Sequence, residues 1–403
     1  MKVPAHRTGL PGKEPDRDIR IVYTGLRAGE NSMRYSLGKA RALWPPDALP
    51  QAVRKILVVQ LGDIGDVVWT TPTLWALREA WPEASLSILL RAGSGCLLEA
   101  DPSLPEIFEV QRGRIEQIRL VKKLRDRRFD IVFDLRADDR GAIMSRLTGA
   151  PVRIAQYYPT GLPFWRNRLF THLVHPAPPR ERIFGAAEQS LRIIRGVGIE
   201  AKDTRPRLWI KEQIRERTGA ILEKAGVPQS GKGENTTDGH WISLNPFSRW
   251  SYKEWPTERW VEIIGRLRES CNLTTVVVGS EAERLRAADI VEACGGEARN
   301  LAGCTTLAEL ACLLSFSRLH IGVDSAAPHI AAAVGTPTVT VYGPSDWRDW
   351  APVDESHRIV VPDMICVPCR EKGCDGSEKS RCLETLGVDR VEKAILDALK
   401  GIF

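Results

Sequence analysis

Three short segments carry side chains that chemistry can use, and each follows an apolar run. Gly62-Asp63-Ile64-Gly65-Asp66 comes directly after Lys55 to Gln60. Glycines Gly62 and Gly65 permit a tight turn, bring backbone close to a ligand and present Asp66 toward a cleft at the head of the next helix. The same spacing also fits Asp63 or Asp66 as a helix cap. The glycines do not form G-x-G-x-x-G, which argues against a nicotinamide or flavin site. In Gly322-Val323-Asp324-Ser325-Ala326-Ala327-Pro328-His329 a strand meets a helix. Free N–H groups and the positive end of the helix dipole at Ser325 and Ala326 suit a phosphate, and Asp324 can accept hydrogen bonds from sugar hydroxyls. His329, one turn on, reaches the same pocket. Taken singly, Asp324 also fits a cap and His329 a core histidine. The loop Asn245 to Pro256 brings Ser248, Arg249 and Lys253 to where a diphosphate can lie, with a plain surface loop as the alternative.

These residues need elements to hold them. Lys55–Gln60 reads as a strand, a helical stretch follows to about Ala80, and Ser85–Leu90 is a second strand, which makes a βαβ unit. Pro72 either starts the main helix behind Thr70 or Thr71, or kinks one that begins near Asp66. A basic helix around Ile115–Arg127, a strand Asp130–Leu135 and a helix Asp139–Thr148 follow. Val227–His240 is polar and rich in Gly, Ser, Thr and Asn, which predicts a linker. The rhythm then restarts: strand Trp241–Asn245, helix Thr257–Arg268, strand Thr274–Gly279 and helix Glu281–Ala293. Thr306-Leu307-Ala308-Glu309 is a capping box, followed by Leu307, Leu310, Ala311 and Leu314 at helical spacing. Strand Leu319–Val323, an Ala-rich helix ending at Gly335-Thr336-Pro337 and strand Thr338–Tyr342 complete the pattern. Strands alternating with helices in two halves predict an α/β protein of two doubly wound, Rossmann-like domains facing across a cleft. The expected boundaries are a basic tail or arm over 1–50, a first domain over 51–226, a linker over 227–240 and a second domain over 241–403.

Nine cysteines divide into two groups. Cys96, Cys271, Cys294, Cys304 and Cys312 sit singly, as buried thiols do. Cys366, Cys369, Cys374 and Cys382 are clustered, and are a candidate structural site for zinc or an iron–sulfur centre, with free thiols or disulfides as the alternatives.

The 403 residues, 43% hydrophobic and 27% charged, describe an ordinary globular chain above the size at which one core stops growing. The longest apolar runs, such as Ile56–Val59 and Leu86–Leu90, fall far short of the roughly 18 residues of a membrane span. Met1–Glu14 has no apolar stretch like the middle of a secretory signal, so the expected location is cytoplasmic. Net charge is +6, and residues 1–55 hold 11 Lys/Arg against 5 Asp/Glu, while the remainder balances at 46 of each. That distribution favours an anionic membrane surface as partner of the N-terminal arm over a nucleic-acid groove in the folded body, with a solvated tail as the plain alternative.

The runs ILVVQLGDIGDVVWTTPTLWALREAWP, NPFSRWSYKEWP, NLAGCTTLAELACLLS and LHIGVDSAAPHIAAAVGTPTVTVYGPSD, in this order, resemble the ADP-heptose:lipopolysaccharide heptosyltransferases of glycosyltransferase family 9. The resemblance covers roughly residues 54–400. It implies the GT-B fold, no catalytic metal, and inverting transfer of a heptose from a nucleotide-sugar donor, ADP-heptose, to the lipopolysaccharide inner core at the inner membrane. By motif, Asp66 matches the family's general base, Lys253 its donor-phosphate lysine, and Asp324 and His329 its donor-binding pair. Asp324-Ser325-Ala326 stands where the family usually has Asp-Thr-Gly, and Asn245-Pro246-Phe247 replaces His-Pro-Gly. The one Asp-x-Asp, Asp16-Arg17-Asp18, lies in the tail, poorly placed for a metal–diphosphate bridge. A related transferase using another nucleotide sugar, and a non-catalytic nucleotide-sugar-binding protein, are the competing readings.

Overall fold

The computed structural model describes residues 21–23, 49–50, 52–104, 106–136, 138–157, 164–175, 185–229, 241–352 and 354–400. Two wholly parallel sheets are built from the alternating segments. The first has the strand order β1-β7-β6-β5-β2-β3-β4, with β1 Ile21–Tyr23, β2 Lys55–Gln60, β3 Ser85–Arg91, β4 Glu106–Val110, β5 Ile131–Asp134, β6 Val152–Gln156 and β7 His172–His175. The second runs β10-β9-β8-β11-β12-β13, with β8 Trp241–Asn245, β9 Thr274–Val277, β10 Ala298–Asn300, β11 His320–Val323, β12 Thr338–Val341 and β13 His357–Val360. Central strands such as β2 and β8 are buried on both faces, which is why they read as unbroken apolar runs. This is the α/β architecture of two Rossmann-like domains, the GT-B fold.

The topology decides where a site can form. In the first sheet the chain runs outward from β2 through β3 to β4 and then returns to place β5 on the other side of β2. The second sheet repeats this, with β8, β9 and β10 on one side and β11 on the other. Each reversal leaves a crevice beyond the carboxyl ends of the two adjacent strands. The loops bordering these crevices follow β2 and β5 in one domain and β8 and β11 in the other. All three segments singled out from the sequence are among them.

Helices α1 Ile64–Val68 and α2 Thr71–Ala80 follow β2, with Pro72 in the first turn of α2, so the stretch is two helices and not one kinked rod. In the second domain α9 Leu307–Phe316 starts at the expected box, in which Thr306 Oγ1 accepts from Glu309 N and the Glu309 carboxylate accepts from Thr306 N. The Ala-rich helix α10 spans Ala326–Ala333. Small residues let α10 approach α1 closely. One apolar core therefore passes through both domains, joining Val67, Val68 and Leu74 to Leu313, Leu314 and Ile330. On the far face of the first sheet, α3 Arg114–Asp126 and α4 Asp139–Leu147 close a separate cluster through Leu120, Leu124 and Met144.

Helix α5 Glu188–Arg195 packs on α2, whereas α6 Glu212–Lys224 packs on α9 of the second domain. The chain crosses between the domains in the intervening segment, where Arg207 N donates to Thr71 Oγ1 at 3.0 Å and Leu208 N to the Ala333 carbonyl at 2.9 Å. Of the expected arm, strand β1 pairs with β7 at the sheet edge, and residues 1–20 and 24–48 lie outside the described residues, as does 230–240 of the expected linker.

A core shared between the domains should make them melt together. Ile330→Ala should cost about 2–5 kcal/mol and lower the unfolding temperature of the whole chain. In calorimetry, a trace in which one half kept its original transition would contradict the shared core.

Candidate functional site

Asp66 lies in the first turn of α1, where it closes a capping box: its Oδ2 accepts from Asp63 N at 2.8 Å. The same oxygen accepts from Arg136 Nη1 at 2.6 Å. Among the described residues nothing hydrogen-bonds Oδ1, so one oxygen anchors the side chain and the other is open to a proton. Burial pushes the Asp66 carboxyl above its usual range, and the Arg136 charge opposes that shift. The cap and the acid thus coincide in one residue. Arg136 belongs to the loop after β5, the other border of the crevice, and its N–H is held at 3.1 Å by Asp134 Oδ1.

Gly62 and Gly65 are fixed by what they face. A Cβ on Gly62 would fall on the Asp66 carboxylate, and one on Gly65 would lie 2.8 Å from His329 Cδ2 across the domain boundary. His329, in α10, is buried and accepts at Nδ1 from Trp69 Nε1 at 2.9 Å. Indole is a donor only, so Nδ1 is the bare nitrogen and the proton resides on Nε2. Burial pulls the His329 pKa down to about 4, so at neutral pH it is an uncharged hydrogen-bond donor through Nε2.

The donor-side segments converge beyond β8 and β11. Lys253 Nζ binds Asp324 Oδ2 at 2.6 Å, with both side chains largely withdrawn from water. Ser248 Oγ donates to the Asp324 carbonyl at 3.4 Å, and Ser248 N to Glu254 Oε1 at 2.8 Å. Arg249 reaches across the cleft to Asp63 Oδ1 at 3.1 Å, an oxygen it shares with Arg91 at 2.7 Å. Ser325 is the N-cap of α10 in extended backbone (φ −145°, ψ −170°), a conformation that requires no glycine. Its Oγ is buried without a hydrogen-bond partner among the described residues. That hydroxyl and the N–H groups of Ala326 and Ala327, which have no acceptor four residues earlier in the helix, form a ready anion cradle.

The structure thus brings Gly62, Gly65, Asp66, Ser248, Arg249, Lys253, Asp324, Ser325, Ala326 and His329 to the two facing crevices. The residues that sequence reasoning missed are Arg136, Arg91 and Trp69. Arg136 was findable as a cation just after a strand; Trp69 was not, because its role depends on a residue 260 positions away.

The clustered cysteines Cys366, Cys369, Cys374 and Cys382, the candidate metal site, follow β13 in the chain. Cys366 is exposed and Cys382 buried, and among the described residues no three His, Cys, Asp or Glu are arranged to hold a metal ion. Burial, with smaller contributions from the other three cysteines, raises the Cys382 thiol to about 11, so it is protonated at neutral pH. Polar contacts also tie the segment: Cys374 N donates to the Lys379 carbonyl at 2.7 Å, and Arg370 pairs with Asp346 and Asp349. All four thiols are free.

Two Rossmann-like domains with an acid on one switch point and an anion cradle on the other define a GT-B glycosyltransferase. The chain belongs to glycosyltransferase family 9 (heptosyltransferase), whose sequence model matches residues 117–379. Lys253, Asp324 and His329 fall inside that match and Asp66 precedes it. The chain is similar to lipopolysaccharide heptosyltransferase 3 of Escherichia coli, with 27% identity over 71% of this chain and 84% of the relative. Among solved structures, a family 9 glycosyl transferase from Veillonella parvula superposes with TM-score 0.72 at 21% identity, covering 86% of this chain and 97% of that one. The E. coli ADP-heptose lps heptosyltransferase II superposes with TM-score 0.67 at 20% identity, covering 86% and 99%.

Removing one partner of the Lys253–Asp324 pair leaves a withdrawn charge uncompensated. Lys253→Ala should lower stability by about 3 kcal/mol and weaken nucleotide-diphosphate binding. Lys253→Ala/Asp324→Asn should regain part of the stability in denaturant titrations but not the binding. Recovery of both would remove Lys253 from the site.

Proposed function

We propose that this enzyme transfers a heptose from ADP-heptose to the lipopolysaccharide inner core, with inversion, in a single displacement. The observation that carries the reading is Asp66, a half-buried carboxylate with one oxygen anchored and one open, facing a donor cradle on the opposite domain. The relatives' names supply the sugar and the acceptor class.

In this reading the donor diphosphate lies over the start of α10, against Ser325, Ala326 and Lys253, with Asp324 hydrogen-bonding sugar or ribose hydroxyls. The acceptor enters from the first domain. Asp66 Oδ1 takes the proton of the attacking hydroxyl as its oxygen bonds to the anomeric carbon, and the bond from that carbon to the diphosphate oxygen breaks. The negative charge released on ADP is met by Lys253, Arg249 and the α10 N–H groups, which are already oriented before reaction. His329 Nε2–H is an uncharged donor beside this path. Charge stabilisation is thus assigned to protein groups, with no catalytic metal.

Asp66→Asn keeps the shape and the anchoring oxygen but cannot accept the proton. Turnover should fall at least about a hundredfold with ADP affinity little changed, and wild-type turnover would reduce Asp66 to a helix cap.

The pH profile supplies a separate check. Activity needs ionised Asp66, so it should rise with pH through an acid limb lying above the usual aspartate value. Arg136 favours the charged form, so Arg136→Ala should move that limb to higher pH. A limb that stayed in place or moved down in Arg136→Ala would contradict the assignment.

A further inference from the structure

We propose that the outer face formed by α3 and α4 docks on an anionic lipid bilayer. Helix α3 buries Leu120 and Leu124 against the sheet. Ile115, Ile118, Lys122 and Arg125, spaced by three, four and three residues, form the opposite ridge. Ile115 and Ile118 are 61% and 69% exposed, which is unusual for two isoleucines one turn apart with no packing role.

The cations around them are equally unpartnered. Lys123 and Arg127, on the flank of α3, pair with Glu106, whereas among the described residues Arg114, Arg119, Lys122 and Arg125 form no ion pair. Helix α4 continues the pattern on the same side of the sheet, since Met144 shares a cluster with Leu120 and Leu124. Its outward residues include Arg140, Ile143, Arg146 and Leu147. The short helix Phe164–Leu169 packs on α4 and exposes Trp165.

Interleaved apolar and unpaired basic side chains fit a bilayer surface better than a protein partner. The centre of a protein interface is depleted of lysine and other charges, whereas a lipid surface accepts isoleucine and tryptophan below the headgroups and cations among the phosphates. The face is also placed for use. It lies opposite the layer that packs on the second domain, and α4 begins three residues beyond Arg136, so its N-terminal end opens beside Asp66. This surface is distinct from the N-terminal arm, and the inference does not depend on which sugar or acceptor the enzyme uses.

The test is co-sedimentation of the full chain with phosphatidylcholine vesicles, with and without phosphatidylglycerol, over a salt series. Wild type should bind the anionic vesicles and release them as salt screens the attraction. Ile115→Glu/Ile118→Glu should weaken binding at least about tenfold, and Arg119→Glu/Lys122→Glu should weaken it and flatten its salt dependence. Both variants should keep the wild-type unfolding temperature and the wild-type turnover on a delipidated acceptor, because the changed side chains are exposed and outside the site. Three results would overturn the proposal. The first is failure of wild type to bind anionic vesicles. The second is an isoleucine variant that binds as well as wild type, which would move attachment elsewhere on the chain. The third is a wild-type dimer that Ile115→Glu/Ile118→Glu dissociates without either protein binding vesicles, which would make the face an interface between copies.

Discussion

The contact between α1 and α10 is the constraint on which the rest of the structure depends. Gly65 has no room for a side chain because His329 stands against it, and Trp69, one turn later, donates to the same imidazole. Two domains that meet this closely must do so in one register. That register sets the switch point after β2 and β5 opposite the switch point after β8 and β11, so Asp66 on one domain faces the Ser325 turn on the other. Neither domain holds the whole arrangement. The shared apolar core beneath, from Val67 to Ile330, supplies the area that keeps the register.

Charge is organised on either side of this contact by opposite means. On the first domain, burial disfavours the charged form of Asp66, and Arg136 opposes that shift at the cost of occupying one oxygen. On the second, Asp324 is compensated by Lys253 and α10 leaves an unpartnered hydroxyl and N–H groups. The cleft therefore offers one acid with a free oxygen on one wall and mainly hydrogen-bond donors on the other. Arg249 joins the two walls through Asp63. Among the described residues no helix is long and apolar enough to cross a membrane.

Much of this was legible in the sequence because local signals and global fold agree. Strands β2, β8 and β11 announce themselves as apolar runs, the Thr306–Glu309 box starts α9, and the chemistry-bearing residues follow strands directly. Shorter or more polar strands were not legible: β4, β6 and β13 carry Glu106, Arg153 and Arg358 within edge or near-edge positions that tolerate charge. Residues whose roles come from distant partners were equally hidden. Trp69 reads as a core aromatic until His329 is seen beside it, and α6 reads as part of the first domain until α9 is seen to cover it. The four clustered cysteines stay close enough in the fold for the other three to act on the Cys382 thiol.

The central claim is that the two facing walls carry out single-displacement glycosyl transfer from ADP-heptose. The most direct measurement is an assay of the wild-type enzyme with a panel of nucleotide sugars and a deacylated lipopolysaccharide core acceptor, the product's mass and anomeric configuration being read by mass spectrometry and NMR. The account predicts that ADP-heptose is the productive donor, that one heptose is added, and that the anomeric configuration is opposite to that in the donor. Retention of configuration, or transfer from another nucleotide sugar with none from ADP-heptose, would contradict it.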